Sequence, residues 1–399
     1  PVKLKATPAD FVVQEEASLA LVPGPTEFAM YQLTKTSWDT FDLVDLLSRR
    51  LRVSRDAIRV GGMKDRHGTT SQVISVRGLP RPPQEIAEAN YTLRFRGWGE
   101  APVSARDIAG NTFSITLRDL TPQEAERAAL NAGEVARDGI PNYFDEQRFG
   151  SARHGQGFMG KEIFLGRRER ALRLWFTPSQ HDDQKTRRMK RAVLESWGQW
   201  QKTAGLGFGD YGRVLAYLAV HRQAYHRALE LLDRRFIVFV LNAYQSWLFN
   251  ELLSRWLARR AAAEGWPVQP LRYSRGTMQF FGPLPPAAAA ALQAASLPVP
   301  GHDTVSADPL VQELLQEVLG QEGITLETLR VRQMHRIRVG GVTRRAVTLP
   351  QDLAVTGPAD DDLYPGRQKL ALRFFLPRGS YATVLVKRLL LPRQPTARP

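Results

Sequence analysis

The middle of this chain carries a long segment with apolar residues on most of its helical faces. The segment runs from Arg234 to Ala263 and includes Phe239, Leu248 and Trp256. A helix that is apolar on most faces must be covered by other elements, so it is usually the core of a domain. The two ends of the chain show a different pattern, and the segment therefore predicts a separate unit inserted between them.

Both ends of the chain alternate strands with capped helices. Apolar and polar residues alternate with a period of two in Tyr91–Phe95, Asn111–Arg118 and Lys369–Leu376, which predicts strands. A capping box over Thr121–Glu124 predicts the start of a helix. Ser380 is predicted to cap a last helix. These patterns indicate a mixed α+β domain that is split between the two chain ends.

The charge of the chain favours a polyanionic partner. The 55 Lys and Arg residues outnumber the 40 Asp and Glu residues and leave a net charge of +15, which indicates nucleic acid as the simplest partner. Two basic runs, Arg167–Arg191 and Arg330–Arg345, carry much of the excess, and the first has Trp175 and Phe176 between its cations. Such runs are typical of surfaces that follow phosphates and stack bases, although a solvated helix face gives the same pattern. The arginines predicted to bind RNA are Arg167, Arg168, Arg187, Arg188, Arg191, Arg336, Arg338, Arg344 and Arg345.

Several kinds of chemistry are excluded by what the sequence lacks. A chain with no Cys has no disulfide framework, zinc knuckle, iron–sulfur cluster or thiol nucleophile. It contains no GxxxxGK[ST] loop and no HExxH. His221 and His226 miss the i, i+4 spacing of a helical metal site. No metal ligand set is therefore expected.

The targeting signals of membrane and secreted proteins are also missing. The N-terminus shows no signal-peptide pattern, and apolar runs such as Phe236–Leu241 are too short to cross a bilayer. We therefore expect a cytoplasmic protein with no membrane partner. A monomer is also expected, although no sequence feature decides the oligomeric state.

One acidic residue, Asp65, has the sequence surroundings expected of a catalytic carboxylate. Asp65 sits between Lys64 and Arg66 in the Gly-bounded loop Val60–Gln72. Glycines allow a sharp turn and close approach of a ligand, and neighbouring cations favour the ionised carboxylate that a nucleophile or general base needs. The predicted strand Thr70–Val76 follows at once. A charged surface turn explains the motif about as well as a catalytic loop does.

Six motifs resemble, in the same order along the chain, those of the TruD family of pseudouridine synthases. They are KATPADFVVQE at 5–15, GGMKDRHGTTSQ at 61–72, GNTF at 110–113, GIPNYFDEQRFG at 139–150, the helix at 242–257 and LPRGSYAT at 376–383. The resemblance implies an α+β fold in which residues 1–138 and 349–399 form a split catalytic domain of the pseudouridine synthase type. That domain would be a mixed antiparallel sheet with helices, and residues 139–348 would form an inserted α+β TRUD domain.

The resemblance also implies an activity and a set of site residues. Members of the family isomerise a uridine in tRNA to pseudouridine, with uridine 13 as the expected target and no cofactor. Asp65 matches the family's catalytic aspartate, and Lys5 matches a basic position near it. The positions that contact the target uridine are matched by Phe11, Asn111 and Tyr381, with Phe113 beside them.

The residues fit such a reaction, which breaks the N1–C1′ bond, rotates the base and rejoins it through C5. An ionised carboxylate would attack the sugar, attack the base or act as a base on a glycal route. Phe113 and Tyr381 suit a stacking wall for the detached uracil, with Phe11 near, and Asn111 offers a donor and an acceptor to a uracil edge. Other interpretations make Phe11 and Phe113 core residues, Asn111 a turn residue and Lys5 a mobile terminal cation.

Two other functions compete with pseudouridine synthesis. One is a non-catalytic RNA-binding or RNA-folding protein with a vestigial site. The other is a carboxylate–metal nuclease, which would need a second acidic residue beside Asp65, where the loop offers only cations.

Overall fold

The structure, a computed structural model, describes residues 2–79, 84–152, 154–332, 334 and 337–393. These residues form two compact units. The first unit is drawn from Pro1–Ile140 and Thr348–Pro395, and the second from Pro141–Val347. None of the helices in the described ranges combines the length and the apolar composition that a bilayer crossing requires.

The elements follow one another along the chain in three groups. The first group contains β1 (Phe11–Ala17), β2 (Leu21–Val22), β3 (Phe28–Thr36), α1 (Thr40–Arg50), β4 (Ile58–Val60), β5 (Thr69–Arg77), β6 (Ile86–Glu88), β7 (Tyr91–Gly99), β8 (Ile108–Leu120), α2 (Pro122–Asp138) and β9 (Ile140–Pro141). The second group contains α3 (Met159–Phe164), α4 (Arg168–Trp175), α5 (Gln184–Glu195), α6 (Trp200–Thr203), α7 (Gly209–Val220), α8 (Tyr225–Glu230), α9 (Arg234–Glu264), β10 (Val268–Tyr273), β11 (Gly276–Phe281), α10 (Pro286–Ala294), β12 (Ser296–Val299), α11 (Pro309–Gln321) and β13 (Val342–Arg345). The third group contains β14 (Val347–Thr348), β15 (Gln351–Asp360), β16 (Gln368–Pro377) and α12 (Ala382–Leu390).

The first unit is built on one mixed sheet. Its strand order is β15-β16-β8-β1-β5-β3-β7-β2, with β4 added beside β5 and β6 beside β7. β1 and β5 are parallel, whereas β8 is antiparallel to both β1 and β16. Because β16 comes from the C-terminal segment, the sheet is made from both chain ends. The expected α+β fold class with such a sheet is confirmed.

Helices cover the sheet of the first unit where its residues are apolar. Leu43, Val44 and Leu47 of α1 pack into a buried cluster with Tyr31 and Leu33 of β3. The alternation of inward and outward residues along β3 supplies one side of this cluster, and the helical spacing along α1 supplies the other.

The predicted caps of the two helices after β8 and β16 have different outcomes. Thr121 and Glu124 form the expected capping box at the start of α2. The prediction that Ser380 caps the last helix is wrong, because α12 begins one residue later with Tyr381 at its N-cap. The Ser380 hydroxyl lies 3.1 Å from the Thr348 hydroxyl instead, so it is engaged with the segment that re-enters the first unit.

The core of the second unit is α9, as the all-round apolar segment predicts. Asp233 caps this helix at its N-terminus, and Gly265 ends it with φ of 74° in the left-handed region, where glycine carries no steric cost. Tyr244, Leu248 and Trp256 are among its buried residues. The helices α3 and α11 and the strand β11 pack around it.

Candidate active site

The loop between β4 and β5 packs directly against the start of β1. A Cβ atom at Gly68 would lie 2.4 Å from the carbonyl oxygen of Phe11, a distance that no side chain tolerates. A Cβ atom at Gly61 would lie 2.7 Å from Ile108 Cδ1. Gly68 is therefore needed for the loop to lie this close to β1, whereas a side chain at position 61 would require the Ile108 side chain to move.

Asp65 is held by a cation from the N-terminal segment and by a backbone donor. Lys5 Nζ forms an ion pair with Asp65 Oδ2, and the His67 N–H donates to Oδ1 at 3.0 Å. The side chains of Lys5 and Asp65 keep 20% and 21% of their exposed surface, so the pair is accessible to a ligand. Of the two cations adjacent to Asp65 in the sequence, Lys64 contacts other groups and Arg66 is exposed.

Lys64 points from the loop to the strands β1 and β8. Its Nζ lies 2.5 Å from Glu15 Oε2 and donates to Asn111 Oδ1 at 2.6 Å. The other Glu15 oxygen accepts the Val73 N–H at 3.0 Å. Glu15 and Asn111 are directly opposite in the β1–β8 register, so both side chains lie on the same face of the sheet.

A fully buried lysine supports the backbone of the loop. Lys35 Nζ donates to the Asp65 carbonyl oxygen at 2.9 Å and to the Trp38 carbonyl oxygen at 2.7 Å. Burial lowers the pKa of Lys35, and the charges of Asp39 and Asp65 oppose that change. Sequence reasoning missed this residue, although its inward position in β3, in step with Tyr31 and Leu33, was a usable signal.

The aromatic residues form a packed group beside Lys5. Phe11 and Phe113 are 5% and 8% exposed, and their ring centroids are 6.3 Å apart with the edge of one ring towards the other. Phe113 stacks on Phe374 at 5.4 Å, and Lys5 Nζ lies 4.2 Å from the centroid of the Phe11 ring. Phe11 and Phe113 are thus buried as core residues would be, and Phe11 also lies beside Lys5, as a site residue would. Sequence reasoning missed Phe374, which packs against Phe113 in this group.

Strand register also places the remaining predicted residues. Asn111 and Phe113 share one face of β8, and Asn111 is opposite Leu376 of β16. The chain continues from β16 through Arg378, whose N–H donates to the Ala109 carbonyl oxygen at 3.0 Å. Tyr381 then opens α12 and is half-buried.

The family of this chain follows from a comparison with known proteins. The family model described as TruD, tRNA pseudouridine synthase D, matches residues 2–389. The chain belongs to the TruD family. The enzyme class expected from the sequence is confirmed, since members of this family are tRNA pseudouridine synthases and therefore isomerases.

Individual TruD relatives match along almost the whole chain. A Leptospira interrogans protein named tRNA pseudouridine synthase D is 28% identical over 401 residues, which cover 97% of this chain and 96% of the relative. A relative from Methanopyrus kandleri is 31% identical over 374 residues, which cover 92% of this chain and 86% of the relative. A TruD crystal structure from Methanosarcina mazei is 25% identical, with a TM-score of 0.68 and coverage of 98% of this chain and 93% of that chain.

The arginines predicted to bind RNA fall into two groups in this TruD protein. Those with exposed side chains are Arg167, Arg188, Arg191, Arg338 and Arg345. Arg336 lies outside the described residues. The exposed group is therefore the part of the predicted set that a polyanion reaches without disturbing the fold.

The other three arginines are engaged within the second unit. Arg168 donates to the carbonyl oxygens of Ile163 and Arg332, and Arg187 donates to those of Gln180 and Asp182. Arg344 donates to the Asn142 carbonyl oxygen at 2.9 Å and lies 4.1 Å from the centroid of the Phe144 ring. Counting cations in the sequence could not separate these groups, because the separation depends on how far the fold buries each side chain. The exposed Arg345 also donates to a carbonyl oxygen, that of Gln293, at 3.4 Å.

Proposed function

We propose that this chain converts a uridine in tRNA, the uridine at position 13, to pseudouridine without a cofactor, and that it acts as a cytoplasmic monomer. The observation that carries the proposal is the Asp65 carboxylate, presented by a glycine-bounded loop between the Lys5 ammonium group and the His67 N–H. A carboxylate held in this way, on a chain of the TruD family, is suited to act on a substrate that approaches the loop.

Asp65 is proposed to be the essential carboxylate of the reaction. It attacks the sugar carbon C1′, attacks the base, or removes a proton on a glycal route, and each of these roles needs the ionised form. Lys5 stabilises that form through its ion pair with Asp65. The N1–C1′ bond breaks, the base rotates, and C5 bonds to C1′ as the C5 proton is lost.

The detached uracil must stay beside the sugar while it rotates. Phe113 and Tyr381 are proposed to hold its faces, with Phe11 beside them, and Asn111 to hydrogen-bond its edge. The target base reaches these residues only after leaving its stack in the RNA. We propose that residues 1–138 and 349–399 form the catalytic domain and that the inserted domain, residues 139–348, binds the tRNA.

Removing the cation from Asp65 should slow the reaction. We expect Lys5→Met to lower the single-turnover rate by about 10- to 100-fold, the usual contribution of one charge-assisted hydrogen bond. Lys3→Met is the matched control, because the Lys3 side chain is exposed while its backbone pairs with Arg118. Equal rates for the Lys5 and Lys3 variants would contradict the role given to Lys5.

The exposed arginines of the basic runs should govern the salt dependence of tRNA binding. Changing Arg188, Arg191, Arg338 and Arg345 to Gln should weaken binding and reduce the slope of log K against log salt by about 3, because each phosphate contact contributes about 0.7 to 0.9. A control removes four exposed arginines of the first unit, Arg49, Arg50, Arg52 and Arg94. If the two sets changed the slope equally, the basic runs would have no special part in binding.

A single-turnover assay on unmodified tRNA transcript tests the proposed function. The expected result is pseudouridine in the product, formed equally well with and without EDTA. Tight binding with no pseudouridine would favour the non-catalytic RNA-binding protein. Cleavage of the RNA that EDTA abolishes would favour the nuclease.

A further inference from the structure

Lys64 connects Glu15 and Asn111 through a buried contact to which the proposed reaction assigns no role. Its side chain is 8% exposed and that of Glu15 is 0% exposed, yet the ammonium group extends to the half-buried Asn111 amide on the neighbouring strand. Glu15 is itself fixed through the Val73 N–H. Placing a lysine and a glutamate in a buried site is costly unless both are paired, so this arrangement holds Lys64 in one position.

The chemistry of lysine decides which way the Asn111 amide faces. An ammonium group carries three donors and no acceptor, so the atom that it approaches at 2.6 Å is the Asn111 oxygen. The Asn111 NH2 group must then point elsewhere. In the part of the chain that the structure describes, no protein acceptor takes a hydrogen bond from this NH2 group, so the amide presents donors to a ligand.

We propose that Lys64 is a positioning residue that makes Asn111 a donor-only reader of a carbonyl oxygen on the target base. The inference rests on the proposed function and specifies how that site recognises its base. Uracil carries carbonyl oxygens at C2 and C4, whereas cytosine carries an amino donor at C4. A donor-only amide that faces position 4 accepts uracil and rejects cytosine.

Rotation of the base gives this arrangement a second consequence. Turning uracil about the axis through N3 and C6 exchanges N1 with C5, as the reaction requires, and the same turn exchanges O2 with O4. A donor that meets one carbonyl oxygen in the substrate therefore meets the other carbonyl oxygen in the rotated base. One fixed NH2 group thus serves the base before and after the rotation.

Replacing Asn111 by Asp tests whether the Asn111 amide donates a hydrogen bond to the base or accepts one from it. Asp keeps an acceptor and loses the donors, so Asn111→Asp should lower the rate at least as much as Asn111→Ala. If Asn111 instead accepts the N3–H of uracil, Asn111→Asp should keep most of the activity. Circular dichroism and thermal melting establish that both variants are folded before their rates are compared.

A substrate with an altered carbonyl group tests the role of Lys64. tRNA would be ligated to carry 2-thiouridine or 4-thiouridine at the mapped target position, since sulfur is the weaker acceptor. We expect one of the two to react about three- to tenfold more slowly than uridine with the wild-type enzyme, the scale of one hydrogen bond. In the double variant Glu15→Gln/Lys64→Met, the rate on uridine divided by the rate on that thio-substrate should approach one. This variant removes both buried charges together and leaves neither unpaired.

Three results would overturn the inference while leaving the proposed function intact. They are full activity of Asn111→Asp, equal rates on both thio-substrates and uridine, and unchanged discrimination in the double variant. Failure of the proposed function is distinguishable, because the wild-type enzyme would then form no pseudouridine from ordinary uridine.

Discussion

Replacing Asp65 by Asn should abolish pseudouridine formation and leave tRNA binding essentially unchanged. The amide keeps the shape of the carboxylate and still accepts the His67 N–H through Oδ1. It neither attacks a carbon atom nor takes a proton, and it forms no ion pair with Lys5. We expect the single-turnover rate to fall by at least about 1,000-fold, as is usual when the reacting group itself is removed.

A matched aspartate provides the control for this variant. Asp56 is an exposed residue of the same unit, in the single helical turn Arg55–Ala57 before β4. Asp56→Asn should react at the wild-type rate. If mass spectrometry detected pseudouridine formed by Asp65→Asn at a rate near that of Asp56→Asn, the assignment of Asp65 would be wrong.

Replacing Arg118 by Met should destabilise the first unit by about 3 to 5 kcal/mol, the usual cost of removing one partner from a buried ion pair. Arg118 Nε donates to Asp10 at 2.8 Å, and its Nη1 donates to Asp361 and Asp362 at 2.8 Å each. Asp10 and Asp361 are 2% and 6% exposed. Without Arg118 these two carboxylates stay buried, and none of the described residues offers either of them another ion pair.

The same residue connects the stability of the unit to its candidate site. Arg118 and Lys3 exchange two backbone hydrogen bonds of 2.9 Å, and Asp10 ends the helical turn that leads into Phe11. Lys5 lies between these two anchored points. The variant should therefore also weaken the contact of Lys5 with Asp65 and lower the reaction rate.

An exposed ion pair in the same unit offers the comparison. Arg77 lies 2.5 Å from Glu27, and their side chains are 63% and 53% exposed. Arg77→Met should cost no more than about 1 kcal/mol, because water screens such pairs. Urea denaturation of both variants measures the difference, and equal losses of stability would show that the Arg118 cluster contributes nothing special.

Local patterns in the sequence were sufficient for several elements of this fold. The alternation in Asn111–Arg118 predicted part of β8, the capping box at Thr121 predicted the start of α2, and the all-round apolar segment predicted α9. Each of these signals lies within a single helix or strand, so residues near one another in the sequence decide it. Ser380 misled because its hydroxyl bonds Thr348, a residue distant in sequence.

The contacts of the candidate site depend on strand register, which local patterns do not reveal. Asp65 was readable from its glycine-bounded loop, yet its cation is Lys5, 60 positions away in the chain. Only the family resemblance indicated Lys5 beside Asp65, since the local pattern showed no more than the adjacent cations Lys64 and Arg66. Lys64 bonds Asn111, which the pairing of β1 with β8 sets opposite Glu15. The Arg118 cluster likewise joins residues that are 108 and 243 positions apart.

Mapping pseudouridine in tRNA treated with the purified protein tests the central claim most directly. Unmodified tRNA transcripts would be incubated with the wild-type protein or with Asp65→Asn, and each uridine would be examined by mass spectrometry. The proposal predicts pseudouridine at position 13 with the wild-type protein and none with Asp65→Asn. Pseudouridine at the same position with both proteins, or none with either, would contradict it.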